Sequence, residues 1–248
     1  DKRRRLLFAG SETPTPWYLW GGILPSTSYT IYDPVNASSQ ANSYVNLANP
    51  GTRDANPVVA PSWANGSGWT FNGTNQYLNS GIIVDSNHTT IVWTEGSTGI
   101  YAVGVLTGGT ARRWNVRPNS TGVFRLEYGS GTIVNDAPDM TNGGVSTISN
   151  GYGWRNQYKE SGQGPYTGGI ATGYPLFIGC QNSLGSPANY FSGSVLRLAH
   201  YNIPLSDAQI QAVVFGMLGY DVVTTDSYQS IVLASNPICY IPCNETMR

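Results

Sequence analysis

Short apolar runs rich in Val, Ile, Tyr, Trp and Thr recur along the chain between clusters of Gly, Asn and Ser. Runs of that kind, bounded by turn formers, predict strands, and their recurrence predicts an all-β sandwich or barrel. The expected strands are residues 29–32, 69–71, 77–79, 89–94, 99–106, 112–117, 122–128, 132–134, 145–149, 153–158, 176–179 and 194–201. Several alternate with period two. Phe124, Leu126 and Tyr128 fall on one face and Val123, Arg125 and Glu127 on the other, which assigns the first set to the core. In the last run Leu196, Leu198 and His200 alternate with Val195, Arg197, Ala199 and Tyr201. Both sides are apolar, which predicts a strand covered on both faces. Asn65-Gly66, Asn72-Gly73 and Asn142-Gly143 are turn signals, because these residue types tolerate positive φ.

One helix is expected, over residues 207–217. Ser206 can cap it while Gln209, three positions on, reaches back, and Asp207 adds negative charge at the positive end of the helix dipole. Ile210, Val213, Val214 and Met217 share a face at helical spacing, so the helix should pack on the sandwich. The tail that follows holds Ile231-Val232-Leu233 and could supply an edge strand or an arm exchanged between subunits.

Composition narrows the class. Charged residues make up 11% of the 248, less than half of the roughly 25% usual in soluble domains. Net charge is −1, aromatics are 12% and there are seven Trp, whereas disorder requires high net charge and few aromatics. The most apolar stretch, residues 212–223, is broken by Gly216, Gly219 and Asp221, short of the roughly 18 residues of a membrane helix. Lys2, Arg3, Arg4 and Arg5 form a basic N-terminal arm, read as a solvated end or as a peg for an acidic partner surface; nucleic acid is not the expected partner. Cys180, Cys239 and Cys243 leave a 180–239 bridge, a 239–243 bridge and fully reduced thiols all open. No secretory or transit signal is recognisable at the Asp1 end, so location is read from composition. The expected organisation is a domain over 29–218, an extension at 1–28 and another at 219–248.

Three segments carry a resemblance. Trp69-Thr70-Phe71-Asn72-Gly73-Thr74-Asn75-Gln76-Tyr77-Leu78 resembles the entry motif of the laminin-G-like, concanavalin-A-like jelly-roll family. Phe191-Ser192-Gly193-Ser194-Val195, with Leu198, Tyr201-Asn202, Leu205-Ser206 and Gln209-Ile210 after it, resembles the family's closing strand and capped helix. Asn150-Gly151-Tyr152 with Trp154-Arg155-Asn156 resembles the strand that precedes Leu176-Phe177-Ile178-Gly179. The segment from Ser43 to Thr52, leading into Trp63 and Trp69, is similar to jelly-roll proteins of tailed bacteriophages. The resemblance implies an all-β, two-sheet antiparallel jelly-roll sandwich with one short C-terminal helix. In it Phe71, Tyr77, Phe191 and Val195 would fill the gap between sheets, and Gly73 and Gly193 would permit turns or close contacts. Family members bind glycans or proteins or serve as passive modules, and fold alone does not choose among these.

Reactive machinery is sparse. Retaining glucanases of this fold need two carboxylates about 5 Å apart, supplied by a Glu-x-Asp-x-x-Glu strand that is absent here; after Glu127 the next acid is Asp136, beyond a Gly129-Ser130-Gly131 turn. His88 and His200, without a visible nucleophile, read as structural rather than as part of a triad. No cofactor or metal is assigned. Calcium is left open in this family, with Asp33, Asp54 or Asp85 as oxygen donors, although no Asp-rich loop is present. Six Asn-x-Ser/Thr triplets, at Asn36, Asn65, Asn72, Asn87, Asn119 and Asn244, are what chance supplies in so Asn-rich a chain. The polar strand faces carry Arg113, Asn115, Arg117, Arg125, Glu127, Trp154 and Tyr158, suited to a shallow ligand site or to a subunit interface.

The expected function is a non-catalytic structural or adhesive protein of an extracellular assembly, foremost a phage virion surface, decoration or fibre protein. Its partners would be subunits of the same assembly, as a homo-oligomer. The alternative is a glycan-binding module of a secreted or cell-surface protein, with a glycoside hydrolase in third place.

Overall fold

The computed structural model describes residues 14–98, 100–108, 112–136, 138–160, 170 and 173–220. Two sheets form a sandwich. The first runs in the order β13 (Tyr158–Lys159), β12 (Tyr152–Arg155), β11 (Gly144–Ser149), β6 (Thr89–Glu95), β17 (Ser192–Tyr201), β4 (Gly68–Asn72) and β3 (Ser62–Ala64), with β1 (Ser28–Tyr32) also paired to β17. The second runs β10 (Gly131–Asp136), β9 (Phe124–Gly129), β8 (Arg113–Arg117), β7 (Val103–Leu106), β14 (Phe177–Ile178), β5 (Tyr77–Asn79) and β2 (Asn56–Val59). All pairings are antiparallel except that of β15 (Gln181–Ser183) with β7; β15 also pairs with β16 (Ser186–Ala188).

The period-two assignment decides what lies between the sheets. Phe124, Leu126 and Tyr128 point inward from β9, with Trp114 and Val116 from β8 and Val103 and Val105 from β7. Trp69, Phe71, Val92, Phe191, Val195 and Leu198 face them from the first sheet side. Tyr77 departs from expectation: Leu78 takes the inward position, and Tyr77 sits on the other side with its ring 4.9 Å from that of Phe177. Gly179 has φ of +87°, and a Cβ there would lie 2.3 Å from the Phe71 ring, so the aromatic core requires a glycine at this point.

The first sheet is covered on its other face as well. α2 (Asp207–Met217), the second helix after a single turn α1 (Gln40–Ser43), lays Ile210, Val213, Val214 and Met217 against Ile31, Ile91, Val145, Ala199 and Tyr201. Ser206 and Gln209 form the expected reciprocal cap. Trp17, Tyr18 and Leu19 join this layer. β17 is therefore buried on both faces. A register shift between Val195 and Arg197 lets Val195 and Leu198 share the inter-sheet core, while Arg197 turns toward the helix.

Some expectations are corrected. The run 153–158 is two strands, broken where Asn156 adopts φ of +53° and exchanges hydrogen bonds with Val145 through its backbone N–H and its Oδ1. In the run 99–106 the described strand is Val103–Leu106, with the Ala102 N–H bonded to the Val116 carbonyl just before it. β2, β3, β15 and β16 have no periodicity that marks them in the sequence. The three Asn-Gly pairs do turn, with φ of +81°, +74° and +98° at Gly66, Gly73 and Gly143. Asn72 and Asn119 use their Oδ1 atoms to accept turn N–H groups. Cys180 is free and buried, and burial pushes its thiol up to about 12. The basic arm, Ile231–Leu233, Cys239, Cys243 and Asn244 lie outside the described residues. Among the described residues no helix is long and apolar enough to cross a membrane.

Candidate functional site

Because Trp114, Val116, Phe124 and Leu126 point inward, their neighbours Arg113, Asn115, Arg117, Arg125 and Glu127 emerge together on the outer face of the second sheet. Register sharpens this: Asn115 lies opposite Glu127, and Arg117 opposite Arg125. Glu127 Oε1 then receives three guanidinium groups, from Arg113 and Arg117 at 3.2 Å each and Arg125 at 3.4 Å. Its Oε2 accepts a hydrogen bond from Asn115 Nδ2 at 2.8 Å.

The Glu127 side chain is only 2% exposed. A carboxylate so withdrawn from water is tolerable only when paired and hydrogen-bonded, a condition the cluster meets in excess. Three guanidinium groups thus share one carboxylate oxygen. Further contacts fix the arginines: Arg117 lies over the Tyr101 ring, 4.8 Å from its centroid, and Arg125 Nη2 donates to Thr132 Oγ1 at 3.0 Å. Burial, and next the Glu127 carboxylate, push the Tyr101 hydroxyl up, so it remains a neutral hydrogen-bonding group.

Beside the cluster is a recess of about 350 Å³, lined by Arg113, Asn115 and Glu127 together with Tyr101, Leu106, Gly108, Gln181, Leu184 and Asn189. Its floor depends on Gly104, where a Cβ would stand 2.7 Å from Asn115 Oδ1 and 3.2 Å from the Gln181 Cα. Asn189 donates Nδ2 to Gln181 Oε1 at 3.2 Å, which sets the amides of the rim.

Trp154 and Tyr158 are not part of this arrangement. Both belong to the first sheet, Trp154 2% exposed within the layer beneath α2 and Tyr158 68% exposed on the edge strand β13. A period-two face can be read within one strand, but which strands share a sheet cannot. Conversely, Tyr101, Gln181 and Asn189 had no signal in the sequence, since the parallel β15–β7 pairing that brings Gln181 opposite Gly104 is a tertiary event.

The remaining candidates have internal partners. Asp33 is ion-paired to Arg197 at 2.9 Å, Asp54 accepts the Asn46 and Gly51 N–H groups, and Asp85 accepts from Ser86 and Asn87. Among the described residues no group of three or more His, Cys, Asp or Glu is placed to hold a metal ion. His200, fully buried, contacts Thr90 Oγ1 through Nδ1 at 2.9 Å and His88 Nδ1 through Nε2 at 3.0 Å. His88 Nδ1 also accepts the Asp85 N–H at 3.2 Å, so a consistent assignment has His200 donating from Nε2, and both rings neutral. Burial, and then His88 and Arg53, hold His200 well below the ordinary histidine range.

No family model and no curated protein sequence matches the chain. Solved structures do. A mutant of Trypanosoma rangeli sialidase displaying trans-sialidase activity superposes on 82% of this chain and 34% of its own, with 17% identity and a TM-score of 0.52. Trypanosoma rangeli sialidase in complex with sialic acid covers 81% of this chain and 34% of its own, at 16% identity and a TM-score of 0.53. The HCR/D W1238A mutant covers 79% of this chain and 53% of its own, at 10% identity and a TM-score of 0.52. The chain thus spans about a third of the length of these sialidases. At such identities the likeness is one of fold, and it places the chain among jelly-roll-like β-sandwiches of the kind that forms part of these sialidases.

Proposed function

We propose that the protein is a non-catalytic glycan-binding module that acts outside the cell and takes its ligand on the outer face of the second sheet. The convergence of Arg113, Asn115, Arg117 and Arg125 on Glu127 beside a recess carries this reading. Rigid, directional donors set next to an apolar wall of Tyr101 and Leu106 suit a ligand with a hydroxyl-rich edge and a C–H face. The recess, about 350 Å³, is at the small end of the range for small-molecule sites and suits a short saccharide. Sandwiches of this fold occur in a sialidase solved with sialic acid, which agrees with a saccharide ligand, though the cluster carries the argument. Non-catalytic action is supported by the lining: Glu127 is the one carboxylate among the described residues around the recess, and glycoside hydrolysis needs a facing pair. Binding to a panel of immobilised polysaccharides tests the proposal. Saturable binding should be weakened by Arg117→Gln and unaffected by Tyr158→Ala, without release of reducing ends; no binding across the panel sinks it.

A second reading is a structural subunit of an extracellular assembly, such as a phage particle. It is favoured by the edge strand β2, where Val58 and Val59 are 49% and 38% exposed. Exposed apolar side chains on an open sheet edge suit pairing with another subunit. Light scattering decides: this reading expects a defined oligomer that Val59→Lys dissociates, and a monomer at all concentrations removes it.

A further inference from the structure

We infer that the ligand is a chain of two or more sugar rings, one held in the recess and a later one stacked on an aromatic shelf formed by Tyr77 and Tyr190. The inference rests on the glycan-binding reading and adds the length of the ligand and a second contact surface, built from uncharged groups. The shelf follows from the outward turn of Tyr77 on β5. Its ring lies 4.9 Å from that of Phe177 and 6.4 Å from that of Tyr190. Phe177, 6% exposed, backs the Tyr77 ring, while Tyr77 and Tyr190 are themselves half-buried. Neither tyrosine hydroxyl has a hydrogen-bond partner among the described residues, and neither is sealed from water.

Register joins the shelf to the recess. Phe177 lies opposite Gly104 on β7 and opposite Asn79 on β5, and Gly104, the floor of the recess, also faces Gln181. Tyr77 stands two residues from Asn79 in the same strand and so shares its face. Two strand spacings put the shelf on the order of 10 Å from that floor, farther than a single sugar ring reaches. At the junction Asn189 donates Nδ2 to Gln181 Oε1 at 3.2 Å, and Tyr190 is the next residue along the chain. The chemistry of the rings selects the occupant. A tyrosine offers an apolar face to the C–H face of a sugar and a polar tip to its hydroxyls. Val59, 38% exposed and opposite Tyr77, carries the apolar surface on to the β2 edge. A nucleic-acid strand would also stack its bases, but it needs cationic groups along its backbone, and Val59, Tyr77, Phe177 and Tyr190 supply none.

Calorimetric titration of the full chain with cello-, laminari-, malto- and xylo-oligosaccharides, each from one ring to four, tests this. In a series that binds, affinity should rise at least about fivefold from one ring to three, the scale of an aromatic stack. The gain should persist as salt rises from about 50 to about 300 mM, because no charge makes it. Tyr77 also packs on Phe177, so Tyr190 is the residue to change. Tyr190→Ala should abolish the gain with cooperative melting retained, and Tyr190→Phe, which keeps the ring, should retain most of it. Equal affinity at every length, or a gain that survives Tyr190→Ala, overturns the shelf but leaves the glycan reading standing. Where only a polysaccharide of the panel binds, Tyr190→Ala must weaken that binding about fivefold, or the shelf falls. No binding of any saccharide overturns both. A dimer that Tyr190→Ala dissociates in light scattering assigns the shelf to a second copy of the chain and overturns it as well.

Discussion

Asn115 donates Nδ2 to Glu127 Oε2 over 2.8 Å from the position directly opposite it in the β8–β9 ladder. That bond occupies one carboxylate oxygen and turns the other toward Arg113, Arg117 and Arg125. A cross-strand pair thereby orients a charge cluster whose members come from two strands.

Glu127→Gln should keep the Asn115 contact but remove the negative charge that three guanidinium groups share. Breaking a buried pair by deleting one partner costs on the order of 3–5 kcal/mol, which urea denaturation would show as a lowered midpoint at unchanged slope. Adding Arg117→Met, which removes one of the repelling charges, should return part of that loss. A double variant no more stable than Glu127→Gln would show that repulsion is not the cause.

Gly104→Ala should uncouple ligand binding from folding. The new methyl meets Asn115 Oδ1 at 2.7 Å, and the amide must swing away from Glu127 while the inward face of β7 is untouched. Saccharide affinity should fall by about tenfold or more, the equivalent of one lost charge-assisted hydrogen bond, with circular dichroism and cooperative melting retained. Unchanged affinity would place the ligand elsewhere.

Acid should destabilise the fold through His200. Its folded-state value is well below the ordinary 6.5, with burial the main cause, so the folded protein binds fewer protons than the unfolded chain. The associated stability is complete above about pH 6.5 and falls as pH drops beneath it, by about 1.4 kcal/mol per unit for one proton. His88 is lowered in the same direction, again chiefly by burial, with Asp85 opposing, and it titrates coupled to His200. Asp85, held below its usual value mainly by the Asn87 N–H, adds a separate loss near and below its ordinary 3.8. Denaturation between pH 7.5 and 5 should show the histidine limb, and His200→Asn should flatten it; an unflattened limb assigns the protons to other groups.

Arg197→Lys should loosen α2. Arg197 Nε bonds Asp33 at 2.9 Å while Nη1 donates to the Gly216 and Met217 carbonyls at the helix end, a fork that an ammonium cannot reproduce. Hydrogen exchange should accelerate in α2 and near Trp17, whose Nε1 shares Asp33, before it does so in β8 and β9. Uniform acceleration would instead mean that the helix and sandwich unfold together.

The sequence by itself determined much of the architecture. Alternation at 124–128 chose an inward face, Ser206 and Gln209 bounded α2, Asn-Gly pairs placed turns, and apolar residues on both sides of 194–201 announced a strand buried twice. These are local or single-strand facts, written in side-chain period and backbone preference. The same alternation put Arg113, Asn115, Arg117, Arg125 and Glu127 on polar faces, but nothing in it told Trp154 and Tyr158 that they belong to the opposite sheet. Only the tertiary structure decided that separation, the outward turn of Tyr77, the meeting of His88 with His200, and the parallel seat of β15 that carries Gln181 to the recess. Pairing between distant strands is chosen by how whole faces pack and how their register closes, and no short window of residues contains that choice.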